Sequence, residues 1–185
     1  RLQKANYLNN FNIKDDMLDV FNSQLAIASS NIVYLRMKFI EEIKKIALDK
    51  HKNISRNEEI NIKYESDIIK EIIPLSDMTE IFSNALNENK QKEIMRQTCL
   101  IGPHRDDICF EINNLDARRY ASQGQQRTLV LALKLSELDI ISDKTGDNPV
   151  LLLDDVLAEL DDIRQNYLLN SIKPDVQTII TSVDT

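Results

Sequence analysis

Glycine is scarce in this chain: Gly102, Gly124 and Gly146 are the only three among 185 residues. No two stand five positions apart, so the phosphate-cradling pattern Gly-x-x-x-x-Gly-Lys-[Ser/Thr] is absent. Such a chain is not expected to bind ATP in cis in the usual way, or to turn it over alone. Tryptophan is missing altogether. The two cysteines, Cys99 and Cys109, form no CxxC pair. Reduced core thiols are the favoured state, with a bridge across a hairpin around His104 as the alternative. A zinc site is short of ligands, because His51 and His104 are the only imidazoles. No apolar run approaches the roughly 18 residues that span a bilayer. The opening Arg-Leu-Gln-Lys-Ala-Asn reads as the interior of a helix, not as a signal peptide, and suggests a piece of a longer protein.

Basic charge is also in deficit. The net charge is −7, and it is uneven. Residues 1–95 carry 14 basic and 15 acidic side chains, whereas residues 96–185 carry 9 and 15. That balance excludes a bulk binder of phosphate backbone; contact with nucleic acid would need a local patch or another segment. What is present is ordinary for a globular protein: 42% hydrophobic and 29% charged residues, enough for a real core.

Two regions with different grammar follow one another. In residues 17–48, Leu18, Phe21, Leu25, Ala28, Ile32, Leu35 and Phe39 step by three and four, continuing near Ile43 and Ile46. This heptad-like seam predicts a long amphipathic helix, some 45 Å for about 30 residues. Asp15 or Asp16 suits its cap. Such a helix belongs either to a compact helical lobe or to a protruding arm. Alternation of Ile60, Ile62 and Tyr64 predicts a short half-buried strand over 58–65. Met78, Ile81, Phe82 and Leu86 predict a helix over 77–97 with a polar second half.

From residue 97 onward, strands are expected at Thr98–Ile101 and Ile108–Ile112 around Gly102-Pro103-His104-Arg105-Asp106-Asp107, with a turn at Asn113-Asn114. A leucine-rich helix over 122–142 is apolar nearly all round, and Gly146-Asp147-Asn148-Pro149 breaks it. Then come a strand at 150–154, a helix from about 161 to 172, and a strand at 176–182. Strand, helix and strand within about 30 residues make a βαβ unit with parallel strands.

Two local patterns carry chemistry. Val150-Leu151-Leu152-Leu153 runs into Asp154-Asp155. A wholly apolar run suggests a strand buried on both faces, and carboxylates at its end sit where open α/β sheets bind ligands. Paired acids there hold Mg²⁺ against a nucleotide and orient water; alternatively they cap the next helix. A second pattern, Ser122-Gln123-Gly124-Gln125-Gln126-Arg127, opens the leucine-rich helix. Ser122 and Gln125 fit a capping box, which accounts for them structurally. Gly124 in the first turn, free N–H groups and Arg127 one turn on also suit an anion. The cluster Arg118, Arg119 and nearby Arg127 is either a solvated edge or a face toward nucleotide or DNA.

The ordered set Gly102–Asp107, Ser122–Arg127, Leu151–Leu157, Ala158-Glu159-Leu160-Asp161 and Gln177-Thr178-Ile179-Ile180-Thr181 resembles the RecF branch of the SMC-like, ABC-type repair ATPases. The likeness is strong over 97–182 and weaker over 1–96. It implies an α/β fold: the C-terminal half of an ABC-type ATPase head at 97–185, with a partly parallel sheet, plus a mainly helical lobe with a long helix at 1–96. It also implies residue roles. Asp154 would be the Walker-B acid and metal ligand, with Asp155 in the place of the catalytic Glu, one methylene shorter. Ser122, Gln123, Gly124, Gln125, Gln126 and Arg127 would form the signature that meets ATP on another subunit. Asp161 would be the acid of the D-loop crossing the dimer interface. Thr181 and Ser182 occupy the switch region, where many ABC heads have a His. Arg105, Arg118 and Arg119 are the candidates for facing DNA; the resemblance assigns His104 no role.

For the complete protein the resemblance implies ATP and Mg²⁺ as cofactors, neither expected to bind this chain tightly alone. Its implied partners are DNA at single-strand gaps or junctions, a second copy upon ATP binding, and recombination mediator proteins, with no membrane. Weak DNA-stimulated ATPase activity in replication, recombination and the SOS response, in a bacterial cytoplasm near the nucleoid, completes the expectation. Two rival classes stand beside it. One is a non-catalytic helical interaction module. The other is a phosphotransferase or hydrolase using Asp154 covalently, which leaves the 122–127 pattern unexplained.

Overall fold

The computed structural model describes residues 1–9, 15–55, 57–154, 156–157 and 160–181. Among them the elements follow in this order: α1 (Leu2–Leu8), α2 (Asp15–Ile54), β1 (Ile60–Glu65), α3 (Leu75–Arg96), β2 (Asp107–Ile112), β3 (Leu115–Asp116), α4 (Ala117–Tyr120), α5 (Gln123–Thr145), β4 (Leu151–Asp154), α6 (Asp162–Ser171) and β5 (Thr178–Thr181). They divide into two compact units that interleave along the sequence: Arg1–Ile40 with Tyr64–Ile108, and Glu41–Lys63 with Cys109–Thr185.

The first unit is built on α2. Forty residues without Gly or Pro allow it to run unbroken, and Asp15 and Asp16 lie inside its first turn, not ahead of it as a cap. The face it buries differs from the heptad seam. Leu18, Ala26, Ser29, Ser30, Val33 and Met37 are buried, whereas Ile32, Leu35 and Phe39 are exposed, Leu35 to 64%. The reason is size. Small side chains at 26 and 30 stand on the face toward α3, and Ser30 Oγ and Thr79 Oγ1 meet at 2.8 Å across the contact. Met78, Phe82 and Leu86 of α3 then fill a core with Ala26, Val33, Met37 and Ile69. Hydrophobicity alone favoured the larger residues; packing density favoured the smaller ones.

A buried ion pair ties the start of this unit to the end of α3. Lys4 Nζ lies 2.5 Å from Glu93 Oε2, and both residues are almost wholly inaccessible. The other oxygen, Glu93 Oε1, accepts from the N–H groups of Leu100 and Ile101 at 2.7 and 3.4 Å. Segment 98–101 is therefore held by a side chain. The strand expected there is absent, as is the hairpin that would have faced Cys99 to Cys109. Neither thiol is in a disulfide, and burial pushes the Cys99 thiol up.

There are two small sheets among the described residues, the second of them wholly in the second unit. One has the order β1-β2-β3, closed by Asn113-Asn114 with φ of 50° and 63°, the left-handed pair that a two-residue hairpin demands. In the other, β4 and β5 are parallel, with Leu151 opposite Thr178 and Asp154 opposite Thr181; α6 lies between them in sequence, as the βαβ pattern requires. Leu131, Leu135, Leu153 and Leu168 form the core beside this pair. Among the described residues, β4 is not covered on both faces. Leu153 is buried, but Leu152 is 68% exposed. The same holds more mildly for α5, where Val130 and Ile141 face outward. Among the described residues, no helix is long and apolar enough to cross a membrane.

Candidate functional site

The described residues of 122–127 and 154–161 all belong to the second unit. Ser122 is the N-cap of α5, and its capping box is complete: Ser122 Oγ accepts from Gln125 N at 3.2 Å, and Gln125 Oε1 accepts from Ser122 N at 2.8 Å. Two of the helix's four spare N–H groups are thus used, and the rest of the turn keeps its positive end. Gln123, Gln126 and Arg127 face an open cavity of about 680 Å³, which Leu152, Val156 and Leu160 also line.

The first turn of α5 is braced from two sides. Gln125 Nε2 donates to Glu58 Oε1 at 3.0 Å. Arg164 Nε donates to Thr128 Oγ1 at 2.6 Å, and Thr128 Oγ1 donates to the Gly124 carbonyl at 2.9 Å. A Cβ built on Gly124 would stand 3.5 Å from the Arg164 guanidinium, an ordinary contact. Close packing within this chain therefore does not demand glycine there.

Asp154 ends β4, and the parallel register sets it opposite Thr181 at the end of β5. Thr181 Oγ1 donates to Asp154 Oδ1 at 2.6 Å, leaving the second carboxylate oxygen for another partner. Asp155 and Ser182 lie outside the described residues. Asp161, not Asp154, caps the following helix: its carboxylate accepts from Arg164 N at 3.0 Å and pairs with the Arg164 guanidinium. That backbone N–H, reinforced by the guanidinium, holds the Asp161 carboxyl below its ordinary range. One arginine thus joins the 161 acid to the 122 turn.

Mg²⁺ binds through one or two carboxylates and completes its shell with water and substrate phosphate. Asp154 and the Thr181 hydroxyl fit that partial donor set. Among the described residues, no group of three or more His, Cys, Asp or Glu converges as around a self-sufficient metal site.

Arg105 belongs to the first unit, Arg118 and Arg119 to the second, and all three are exposed. The Arg118 N–H donates to Asp116 at 2.8 Å, capping α4, and Arg119 Nε lies 3.8 Å from the same carboxylate. His104 turns inward instead, with Nε2 3.1 Å from the Cys99 carbonyl. Its loop is pinned from below: Arg36 donates to the Pro103 carbonyl at 2.7 Å, and the Tyr64 hydroxyl donates to Asp106 at 2.7 Å. Burial foremost pushes that phenol up to about 12.

Glu58, Thr128 and Arg164 were not singled out from the sequence, and His51 was weighed there only as a zinc ligand. His51 sits in the last turns of α2, wholly buried, with Nε2 3.5 Å from Glu58 Oε2. Burial lowers the pKa of both His51 and His104 from 6.5, so the folded chain favours neutral rings. The unfolded chain then binds protons first as pH falls. Their contribution to stability is complete above pH 6.5 and shrinks as pH drops toward the lowered folded-state values. Urea midpoints are expected to fall between pH 7.5 and about 5.5, and less so in His51→Gln. A wild-type midpoint that holds or rises across that window contradicts the direction.

No protein-family model matches the chain. Individual proteins do. The DNA replication and repair protein RecF of Clostridium perfringens is 46% identical over 175 residues, covering 94% of this chain and 47% of that protein. RecF of Bacillus subtilis is 44% identical over 168 residues, 90% of this chain and 45% of the relative. The chain thus spans about half the length of the curated relatives it matches. Among solved structures, one described as the recombination mediator protein RecF-ATP in the RecFOR pathway superposes with a TM-score of 0.88 at 34% identity. It covers all of this chain and 50% of the other.

Proposed function

We propose that this chain, which matches RecF proteins over about half of their length, forms one half of a RecF-type, ATP-switched DNA-repair protein. Residues 1–96 take the part of the inserted helical lobe and 97–185 that of the C-terminal portion of the ATPase head. The observation that carries this is the placement, within one unit of a RecF-like fold, of a capped helix start at Ser122 and a strand-end carboxylate at Asp154.

ATP with Mg²⁺, when bound, supplies the phosphoryl group whose cleavage resets the switch. Asp154, oriented by the Thr181 hydroxyl, would hold the metal. Asp155 would orient the attacking water, and Thr181 and Ser182 would serve as the switch region. Ser122 to Arg127 offer N–H groups, amides and a guanidinium to the γ-phosphate carried by a second copy. Asp161, fixed by Arg164, borders that interface. Arg105, Arg118 and Arg119 face DNA. Closure of two copies on ATP clamps DNA at gaps or junctions, where recombination mediators are recruited. The setting is bacterial and cytoplasmic. Weak DNA-stimulated ATPase activity belongs to the complete protein, and this chain alone performs no turnover.

In the full-length protein, Ser122→Arg is expected to leave nucleotide binding by each subunit intact and to abolish ATP-driven dimerisation. Sedimentation with and without ATP reads this directly. A variant that dimerises like the wild type removes the signature assignment.

A further inference from the structure

The capping box at Ser122 differs from an ordinary surface cap in having its second residue gripped. Gln125 has several rotatable bonds, and a free glutamine at this position samples many orientations. Here both ends of its amide are committed, Oε1 to Ser122 N and Nε2 to Glu58 Oε1. Together these two bonds specify one rotamer and one amide orientation. The bond to Glu58 is charge-assisted, so it is the stronger of the two.

Glu58 is itself held. Its side chain is only 19% exposed, and Oε2 lies 3.5 Å from Nε2 of the wholly buried His51. Among the described residues, neither His51 nitrogen has a hydrogen-bond partner, and neither does Glu58 Oε2. Two buried polar groups left unmade are costly, and closing the gap by about half an ångström converts the approach into a hydrogen bond. A row of neighbours thus runs from the end of the 40-residue helix α2, where His51 approaches Glu58 at 3.5 Å, through two hydrogen bonds, Gln125 to Glu58 and Ser122 N to Gln125.

We propose that Glu58 is a positioning residue for the Ser122–Arg127 turn, transmitting the placement of the last turns of α2 to the surface that meets nucleotide on a second subunit. This rests on the signature assignment made above. Glu58 touches no nucleotide; it sets the rotamer of Gln125 and thereby the order of the turn. Displacement of the α2 terminus pulls the brace away and loosens the turn. A glutamine at position 58 retains an acceptor for Gln125, whereas alanine does not.

Two measurements test this. The first is amide hydrogen exchange of the 185-residue chain. Glu58→Ala is expected to speed exchange at 122–126 by about five- to tenfold, the scale of one lost cap interaction, with the middle of α5 unchanged. Glu58→Gln should stay within about twofold of wild type, since it keeps the acceptor. The second is ATP-driven dimerisation of the full-length protein, with Ser122→Arg as control. Glu58→Ala should weaken dimerisation and leave per-subunit nucleotide affinity unchanged, and Glu58→Gln should restore it. Should Glu58→Ala not fold, Glu58→Leu removes the same acceptor while keeping most of the side-chain volume and leaves the Gln125 bond to Ser122 N in place, and it is expected to give the same two results. If Ser122→Arg blocks dimerisation while Glu58→Ala changes neither exchange nor dimerisation, the positioning role is overturned and the signature assignment survives. Faster exchange with unimpaired dimerisation also overturns it, because the brace would then be merely structural. If Ser122→Arg itself dimerises normally, the signature assignment has failed and the positioning role falls with it.

Discussion

Asp154→Asn in the full-length protein is expected to lower ATP turnover by about a hundredfold or more, the usual scale for removing one preorganised group that stabilises transition-state charge. The substitution keeps size and keeps an oxygen for the Thr181 hydroxyl, which donates to Asp154 at 2.6 Å. Fold should therefore be preserved while the negative charge that holds Mg²⁺ is lost. Thr181→Val is expected to cost less, because it removes the group that orients the carboxylate and leaves the charge in place. Steady-state phosphate release at saturating ATP, with circular dichroism as the check on folding, separates the two. Turnover within about threefold of wild type in Asp154→Asn would remove the metal-ligand role, since no neutral amide replaces a carboxylate on Mg²⁺ so cheaply.

Glu93→Gln is expected to be the most damaging substitution for stability, at about 3–5 kcal/mol, because it leaves the Lys4 ammonium buried without a counter-charge. Lys4 and Glu93 are only 1% and 0% exposed, so water does not rescue either partner. Total stabilities of about 5–15 kcal/mol make such a loss a large share of the whole. The double variant Lys4→Met with Glu93→Gln should lose less than Glu93→Gln alone. Methionine fills the lysine's space without charge. The amide introduced at position 93 still offers an oxygen to the Leu100 and Ile101 N–H groups that Glu93 serves. Urea unfolding of the four proteins of this cycle measures the coupling. Additive losses, or a single variant costing under about 1 kcal/mol, would show that the pair is not the anchor of segment 98–101.

These two sites mark the two sides of what was legible beforehand. Asp154 at a strand end, the Ser122–Gln125 capping box, the parallel βαβ pair and the existence of a long helix at α2 all followed from the order of residues. Each depends on interactions across three or four positions, or on an apolar run of the right length, and those are written locally. Lys4 with Glu93 and Gln125 with Glu58 are joined across 89 and 67 positions, and neither member of either pair carries a local mark of its partner. α2 shows the same divide within one element. The spacing of its large hydrophobic residues proposed one buried face, and packing against α3 selected another, which includes Ala26 and Ser30. Burial on both faces of β4 was likewise inferred from its composition, but Leu152 is exposed here. Local sequence determined the elements and the chemistry at their ends, because backbone hydrogen bonding and capping act over a single turn. Which faces meet, and which charges are sealed in, was decided by tertiary structure, because close packing compares shapes that only the folded chain brings together.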